Sequence, residues 1–221
     1  MICTDKIYVT HYSVLKERRE NIEKQLKMYN LECLWIEEEP SSTFIKNNYS
    51  SNDWYKKFKK MNQLNYSQKR QLKKSEISIE YKHIKIYQDI VNNNINTALI
   101  LEDDAIFEED FLKKFNFNIN ATPKDWDFIF IGSGCNLRID KKILNGNVAY
   151  KKDHPASKCA DSYIIKKEAA AKILETIFPF TFPIDFELNY QMFIHDMNVY
   201  WWEPPIVYQG SQNGVYRSEI Q

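Results

Sequence analysis

Short apolar runs alternate with amphipathic stretches along this chain. Lys6-Ile7-Tyr8-Val9-Thr10-His11-Tyr12 is rich in β-branched and aromatic residues and reads as a first strand. From about Ser13 to Tyr29 the period turns helical, with Ser13 as N-cap and Leu15, Ile22 and Leu26 on one face. Leu31 to Ile36 reads as a second strand. This strand–helix–strand opening predicts an α/β fold with a parallel sheet. Residues 38–75 break the pattern. Glu37-Glu38-Glu39 leads into Pro40-Ser41-Ser42, then into Asn, Ser, Lys and isolated aromatics. The stretch reads as a long insertion or flexible loop region with a short helix around Trp54 to Met61, and loops of that length usually serve a function.

The pattern resumes with a helix from about Ser75 to Asn92 that puts Ile79, His83, Tyr87 and Ile90 on one face. Thr97-Ala98-Leu99-Ile100-Leu101 is continuously apolar, as a strand buried on both faces would be. Phe107 to Phe115 reads as a helix whose first turn holds Glu108, Glu109 and Asp110, a favourable place for negative charge. Asp127 to Ile131 and Ser162 to Ile165 are further buried strands, the first ending at Gly132-Ser133-Gly134. Lys166 to Ile177 is helical, with Ala170, Ile173, Leu174 and Ile177 inward. Asp185 caps a helix with Phe186, Tyr190 and Phe193 along one stripe, and Val199 to Trp202 is the last strand. There is no repeat and no linker, so residues 1–221 read as one domain, with 204–221 as a C-terminal tail.

Bulk properties remove some classes of function. A chain of 221 residues that is 43% hydrophobic can build a substantial core. Its formal net charge of zero gives no electrostatic case for nucleic-acid binding. The exception is local: Lys56, Lys57, Lys59, Lys60, Lys69, Arg70, Lys73 and Lys74 form either a solvated face or a basic flap near an anionic nucleotide. Cys3, Cys33, Cys135 and Cys159 are widely spaced without a CxxC pair, which speaks against a zinc cluster and for free thiols in a reducing compartment. No run has membrane-spanning length and no leader is evident, so a soluble, cytoplasmic protein is expected, in the host cytoplasm if the chain is viral.

The chemistry concentrates at Ile100-Leu101-Glu102-Asp103-Asp104-Ala105. Ligand sites in open α/β sheets lie outside the carboxyl ends of strands. Three adjacent acids there would repel one another unless something relieves them. A hard divalent cation such as Mn or Mg suits oxygen donors and is commonly shared with substrate phosphates. In an extended chain Glu102 and Asp104 point to one side and Asp103 to the other. The competing reading makes the acids a cap for the next helix, with Asp104 as the cap residue.

Several strings occur together in the order found in glycosyltransferase family 25, which the chain resembles over nearly its whole length. They are Ile7-Tyr8-Val9 with Arg18-Arg19, Glu76-Ile77 with His83, Ala98 to Ala105, Asp125-Trp126-Asp127 with Ile131-Gly132-Ser133, Ser162 to Ile165 with Ala170, and Pro183-Ile184-Asp185. Ser78, Ile79 and Lys82 depart from the family's Glu-Ile-Gly-Cys-x-x-Ser-His string. The resemblance implies a GT-A fold: a Rossmann-like, mainly parallel sheet flanked by helices on both faces. It implies inverting, metal-dependent transfer of a hexose, galactose or glucose, from a UDP-sugar to a hydroxyl of a glycan, lipid-linked oligosaccharide or protein acceptor.

On that basis Asp104 is expected to bind the metal, with Glu102 on the ion or the donor ribose and Asp103 on the donor. Gln209 is either a further ligand or a plain tail residue. Asp185 is a general base or an N-cap, with Glu187 as its alternate. Tyr8 and Thr10 are expected to frame uracil or ribose, and Asp161 to meet sugar hydroxyls. His83 is a donor-site residue or a packed core histidine. Trp201 and Trp202 could stack on a sugar or face the core. Two other functions stay open: a non-catalytic sugar-nucleotide-binding or interaction protein of the same fold, and a metal-dependent phosphohydrolase.

Overall fold

A computed structural model of the chain describes residues 1–60, 71–152 and 158–217. In chain order the elements are β1 (Lys6–Thr10), α1 (Lys16–Met28), β2 (Leu34–Ile36), α2 (Ser42–Asn48), α3 (Trp54–Lys60), α4 (Lys74–Asn92), β3 (Thr97–Glu102), β4 (Ala105–Phe107), α5 (Phe111–Ala121), β5 (Phe128–Phe130), β6 (Ala149–Lys151), β7 (Ser162–Lys166), α6 (Lys167–Thr176), α7 (Ile184–Ile194), β8 (Val199–Trp202) and β9 (Val207–Gln209). Seven strands form one sheet in the order β2-β1-β3-β7-β5-β8-β6, and β4 pairs with β9 apart from it. Strands β2, β1, β3, β5 and β8 run one way. β7 runs against β3 and β5, and β6 against β8. The sheet is therefore mostly parallel. β7 follows β6 in the chain, and an antiparallel strand needs no crossover helix to enter the sheet.

Alternation along the strands divides the core into two layers. Ala98 and Ile100 of β3 join Tyr8, Tyr163 and Phe128 in a cluster with Ile84, Tyr87, Ile90, Ile173 and Leu188 of α4, α6 and α7. Leu99 and Leu101 join Ile7, Val9 and Ile129 in a second cluster with Ile22, Leu26, Phe111 and Phe115 of α1 and α5. Helices thus cover both faces, and each central strand is apolar on both sides because neither side meets water.

Local differences from the sequence pattern have identifiable causes. α1 starts at Lys16, with Leu15 rather than Ser13 in the N-cap position and no side-chain cap. The 38–75 stretch is not featureless: Ser41 caps α2 by accepting from the Phe44 N–H, and Phe44, Ile45 and Tyr49 pack against the first cluster. α4 begins one residue earlier than expected, and its first turn is closed by the Lys73 N–H donating to Glu76 at 2.8 Å. Ala105–Phe107 is a strand, and Glu108, Glu109 and Asp110 precede α5 instead of forming its first turn. Pairing with β9 claims that segment before a helix can. In α7 the N-cap is Pro183, so Asp185 lies inside the first turn rather than capping it. Phe193 is exposed, and the buried stripe runs instead through Ile184, Leu188 and Met192. Lys69 and Arg70 of the basic run, and the end of the tail from 218, lie outside the described residues. Lys57 is buried against Glu187 at 2.5 Å rather than solvated. Among the described residues, no helix is long and apolar enough to cross a membrane.

A candidate active site at the carboxyl end of the central strand

β3 lies between β1 and β7, and its last residue, Glu102, stands beside Thr10 of β1 in register. The Glu102 N–H donates to the Asp161 carbonyl at 2.9 Å, which brings the residue before β7 to the same strand end. Two close contacts depend on missing side chains. A Cβ on Gly132 would stand 2.2 Å from Asp161 Oδ2, and one on Gly134 would stand 1.4 Å from the Lys158 carbonyl oxygen. Glycine at both positions lets the turn after β5 close onto the segment leading to Asp161.

The three consecutive acids have different environments. Asp103 turns toward α1. It accepts from Arg18 at 2.8 Å and from the Tyr12 N–H at 3.3 Å, and it bonds His11 Nδ1 at 2.8 Å. Burial acts to raise its pKa, but the His11 and Arg18 bonds win and hold the carboxyl below its ordinary value. Asp104 is 2% exposed; its Oδ2 accepts from the Ser211 N–H at 3.2 Å, and its Oδ1 has no hydrogen-bond partner. Burial pushes its pKa up. Glu102 is pushed well up by burial and then by the charges of Asp104, Asp161, Asp103 and Asp185. Asp161 is fully buried with Oδ1 unpartnered, and burial followed by the Asp104 charge raises it to about 8. The strand ends at Glu102, and Asp103-Asp104 form a turn, so the different environments of the two aspartates arise from that turn and not from the expected extended-chain alternation.

The C-terminal segment joins this strand end. Gln209 of β9 pairs with Ala105, and the Gly210 N–H donates to the Asp104 carbonyl at 2.8 Å. The Gln209 side-chain oxygen is buried without a partner. Arg18, besides holding Asp103, donates to the Arg217 carbonyl at 2.6 Å. The Ser211 N–H and the Arg18 clamp were not legible as site features, because both depend on contacts between residues 85 or more positions apart.

Other expected residues are distributed differently. Thr10 is buried at the strand end, with its hydroxyl 3.5 Å from the Leu101 carbonyl. Tyr8 is fully buried one pleat earlier, and its hydroxyl donates to Asp89 at 2.6 Å, so it is not at the mouth of the site. His83 is fully buried and bonds the Tyr163 hydroxyl at 2.6 Å; burial lowers its pKa to about 3, keeping the ring neutral. Asp185 is half-buried, and its charge is felt at Glu102. Glu187 is fully buried and engaged by Lys57, by the Thr181 N–H at 3.2 Å and by Gln191 at 3.1 Å. Trp201 and Trp202 are both core residues, and the Trp202 indole donates to Thr122 at 2.9 Å, which removes them as exposed sugar platforms.

Buried, partly unpartnered carboxylates stand at the carboxyl end of a central strand in this α/β protein, where ligand sites of such sheets lie. The chain belongs to glycosyltransferase family 25 (LPS biosynthesis protein), whose pattern it matches over residues 4–188. It is 28% identical to procollagen galactosyltransferase 2 of Homo sapiens over 108 residues, or 48% of this chain and 17% of that protein. It is 30% identical to procollagen galactosyltransferase 2 of Mus musculus over 66 residues, or 28% of this chain and 11% of that protein. The matched segments thus span less than a fifth of those relatives. Among solved structures, a glycosyltransferase involved in the glycosylation of the major capsid of PBCV-1 is similar at a TM-score of 0.48 and 10% identity, covering 92% of this chain and 91% of that one. A197 from STIV is similar at a TM-score of 0.44 and 14% identity, covering 91% and 81%.

Proposed function

We propose that the protein transfers a hexose, galactose or glucose, from a UDP-sugar to a hydroxyl of a glycan, lipid-linked oligosaccharide or protein acceptor, with inversion and with the help of a divalent cation. The observation that carries this reading is the set of buried oxygens without partners at one strand end: Asp104 Oδ1, Asp161 Oδ1 and Gln209 Oε1. Buried polar atoms are normally satisfied, and atoms left open around a strand end mark a place for a polar ligand. Membership of a glycosyltransferase family supports a sugar donor as that ligand.

The donor set fits Mn or Mg. No group of three or more His, Cys, Asp or Glu side chains among the described residues forms a preformed cage. Asp104, Glu102 and Gln209 would instead offer hard oxygen donors, with substrate phosphates completing the shell. A bound cation supplies charge stabilisation for the departing nucleoside diphosphate. The Ser211 N–H fixes the orientation of the Asp104 carboxylate, and Asp161 faces donor sugar hydroxyls. Thr10 borders the same strand end. Asp103 acts by holding α1 and the 216–217 segment through Arg18 rather than by touching the donor. His83 and Tyr8 support the floor beneath the site.

Asp185 is the general base of this reading. It stands on the first turn of α7, with its charge sensed at Glu102. Glu187, which is tied to Lys57, is not free to take the acceptor proton.

The test is UDP release from UDP-galactose, UDP-glucose, UDP-xylose and UDP-N-acetyl sugars, with Mn and with a chelator. The absence of both binding and turnover with every one of these donors overturns the proposal. Asp185→Asn is expected to lower turnover by about 10²–10⁴-fold with donor affinity kept. An unchanged rate removes Asp185 as base.

A further inference from the structure

Beside the acidic strand end, two cysteines meet that none of the roles above uses. Cys135 occupies the turn Gly134–Asn136 after β5, and Cys159 lies two residues before Asp161. Both adopt left-handed backbone, with φ of 52° and 62°. Residues with a Cβ keep that conformation only where their surroundings enforce it. The two turns aim the sulfurs at each other, 2.9 Å apart across 24 positions of sequence. Gln212 reaches both, at 3.7 Å and 3.9 Å. Cys135 is exposed and Cys159 half-exposed, so both are open to a small reagent.

The two thiols are also unequal. The contact with Cys159 lowers the Cys135 pKa to about 6, which favours its thiolate, and Cys135 is the more exposed of the two sulfurs. The same bond, followed by burial, raises Cys159 and keeps its proton. A thiolate that attacks, next to a thiol placed to resolve, is the arrangement that thiol–disulfide exchange needs.

We propose that Cys135 and Cys159 form a redox modification site, a reversible disulfide that joins the turn after β5 to the segment leading into β7 at the rim of the carboxylate site. The oxidant is a low-molecular-weight disulfide such as glutathione disulfide. Cys135 Sγ attacks one of its sulfurs, the S–S bond breaks, and one glutathione leaves as thiolate. Cys159 then loses its proton to solvent, attacks Cys135 Sγ in the mixed disulfide and expels the second glutathione. Two electrons pass from the protein sulfurs to the reagent, and excess glutathione reverses both steps. Once Cys135 has reacted, the charge that held the Cys159 proton is gone, so the second step is open.

Closure removes a thiolate charge from the neighbourhood of Asp185 and releases Gln212 from the sulfurs. An anionic donor is then repelled less. This consequence rests on the transferase reading above, and it predicts a donor KM lower by about two- to fivefold in the oxidised form, the size of one partly exposed charge interaction.

The full chain is equilibrated in glutathione buffers of graded redox ratio, quenched in acid, alkylated and mapped by peptide mass. The expected result is a disulfide between the Cys135 and Cys159 peptides, reversed by excess glutathione, while Cys3 and Cys33 remain alkylated. Cys159→Ala should stop at a glutathione adduct on Cys135, and a chain carrying Cys3→Ser and Cys33→Ser should behave like the parent. The site is refuted if both thiols stay alkylatable in excess glutathione disulfide, or if the unaltered chain accumulates the mixed adduct. Disulfide formation in a chain that binds and turns over no UDP-sugar sinks the transferase reading and leaves the redox site standing. A disulfide with unchanged donor KM overturns the coupling between them.

Discussion

Asp103 and Asp104 are chain neighbours with opposite situations. Asp103 has an arginine, a histidine and a backbone N–H around it, and its charge is matched. Asp104 is held by Ser211, whose N–H reaches Oδ2, and its Oδ1 has no hydrogen-bond partner. The turn at this strand end therefore puts a carboxylate held by Arg18 and His11 next to one with an unpartnered oxygen. The lesson concerns motifs. A run of acids is not one functional unit, and the partners of each acid decide which of them can do chemistry.

The comparison makes testable claims of decreasing size. Asp104→Ala should cut turnover by about 10²–10³-fold, the range for losing one preorganised electrostatic group, while the melting temperature holds or rises because an open buried carboxylate is gone. A large fall in melting temperature would make Asp104 a structural residue like its neighbour. Asp103→Ala should do the reverse: it removes the carboxylate that Arg18 and His11 share, and chemical denaturation should register a loss of about 3–5 kcal/mol. A variant as stable as the parent would dissolve the distinction.

The pH dependence should carry opposite signs. The carboxyl of Asp103 is depressed in the folded state, so its contribution is present above the ordinary carboxylate pKa and is lost as pH falls through its folded value. Asp161 is raised to about 8, so the folded state holds a proton that the unfolded chain has released, and stability falls as pH rises toward that value. Denaturation of the chelator-treated protein across this range should show Asp161→Asn flattening the decline by about 1.4 kcal/mol per pH unit. An unchanged slope would mean that Asp161 is ionised throughout. The smallest effect is expected for Gln209→Ala, with about a tenfold higher cation requirement and little change in saturated turnover. A variant with the parent's metal titration would return Gln209 to a role in strand pairing.

Much of the fold could be read from the sequence because its strands announce themselves. Thr97–Glu102, Phe128–Phe130, Ser162–Lys166 and Val199–Trp202 are apolar on both faces, and that signal survives without any knowledge of neighbours. The expectation of a mainly parallel sheet with helices on both faces agrees with what is observed, apart from β7 and β6. Strands as short as Ala149–Lys151 and Val207–Gln209 carry too few residues to show a period. The helix expected over Phe107 to Phe115 begins only at Phe111, because Phe107 is claimed by a strand whose partner lies about a hundred residues away. The same limit applies to the site. Glu102-Asp103-Asp104 stands out as a string, but the division of labour within it depends on Arg18, His11 and Ser211. The cysteines look unrelated in sequence, and only the turn at Gly134 brings 135 and 159 together.

The pairing of β9 with β4 has a consequence in time as well as space. During synthesis, a chain that has emerged through Trp202 already holds every strand of the seven-stranded sheet. It still lacks the Gly210 and Ser211 N–H groups that steady Asp104. The scaffold can therefore condense while the carboxylates remain unaimed, and competence for any reaction at that strand end arrives later, when residues 207–211 clear the ribosome and zip onto Ala105–Phe107.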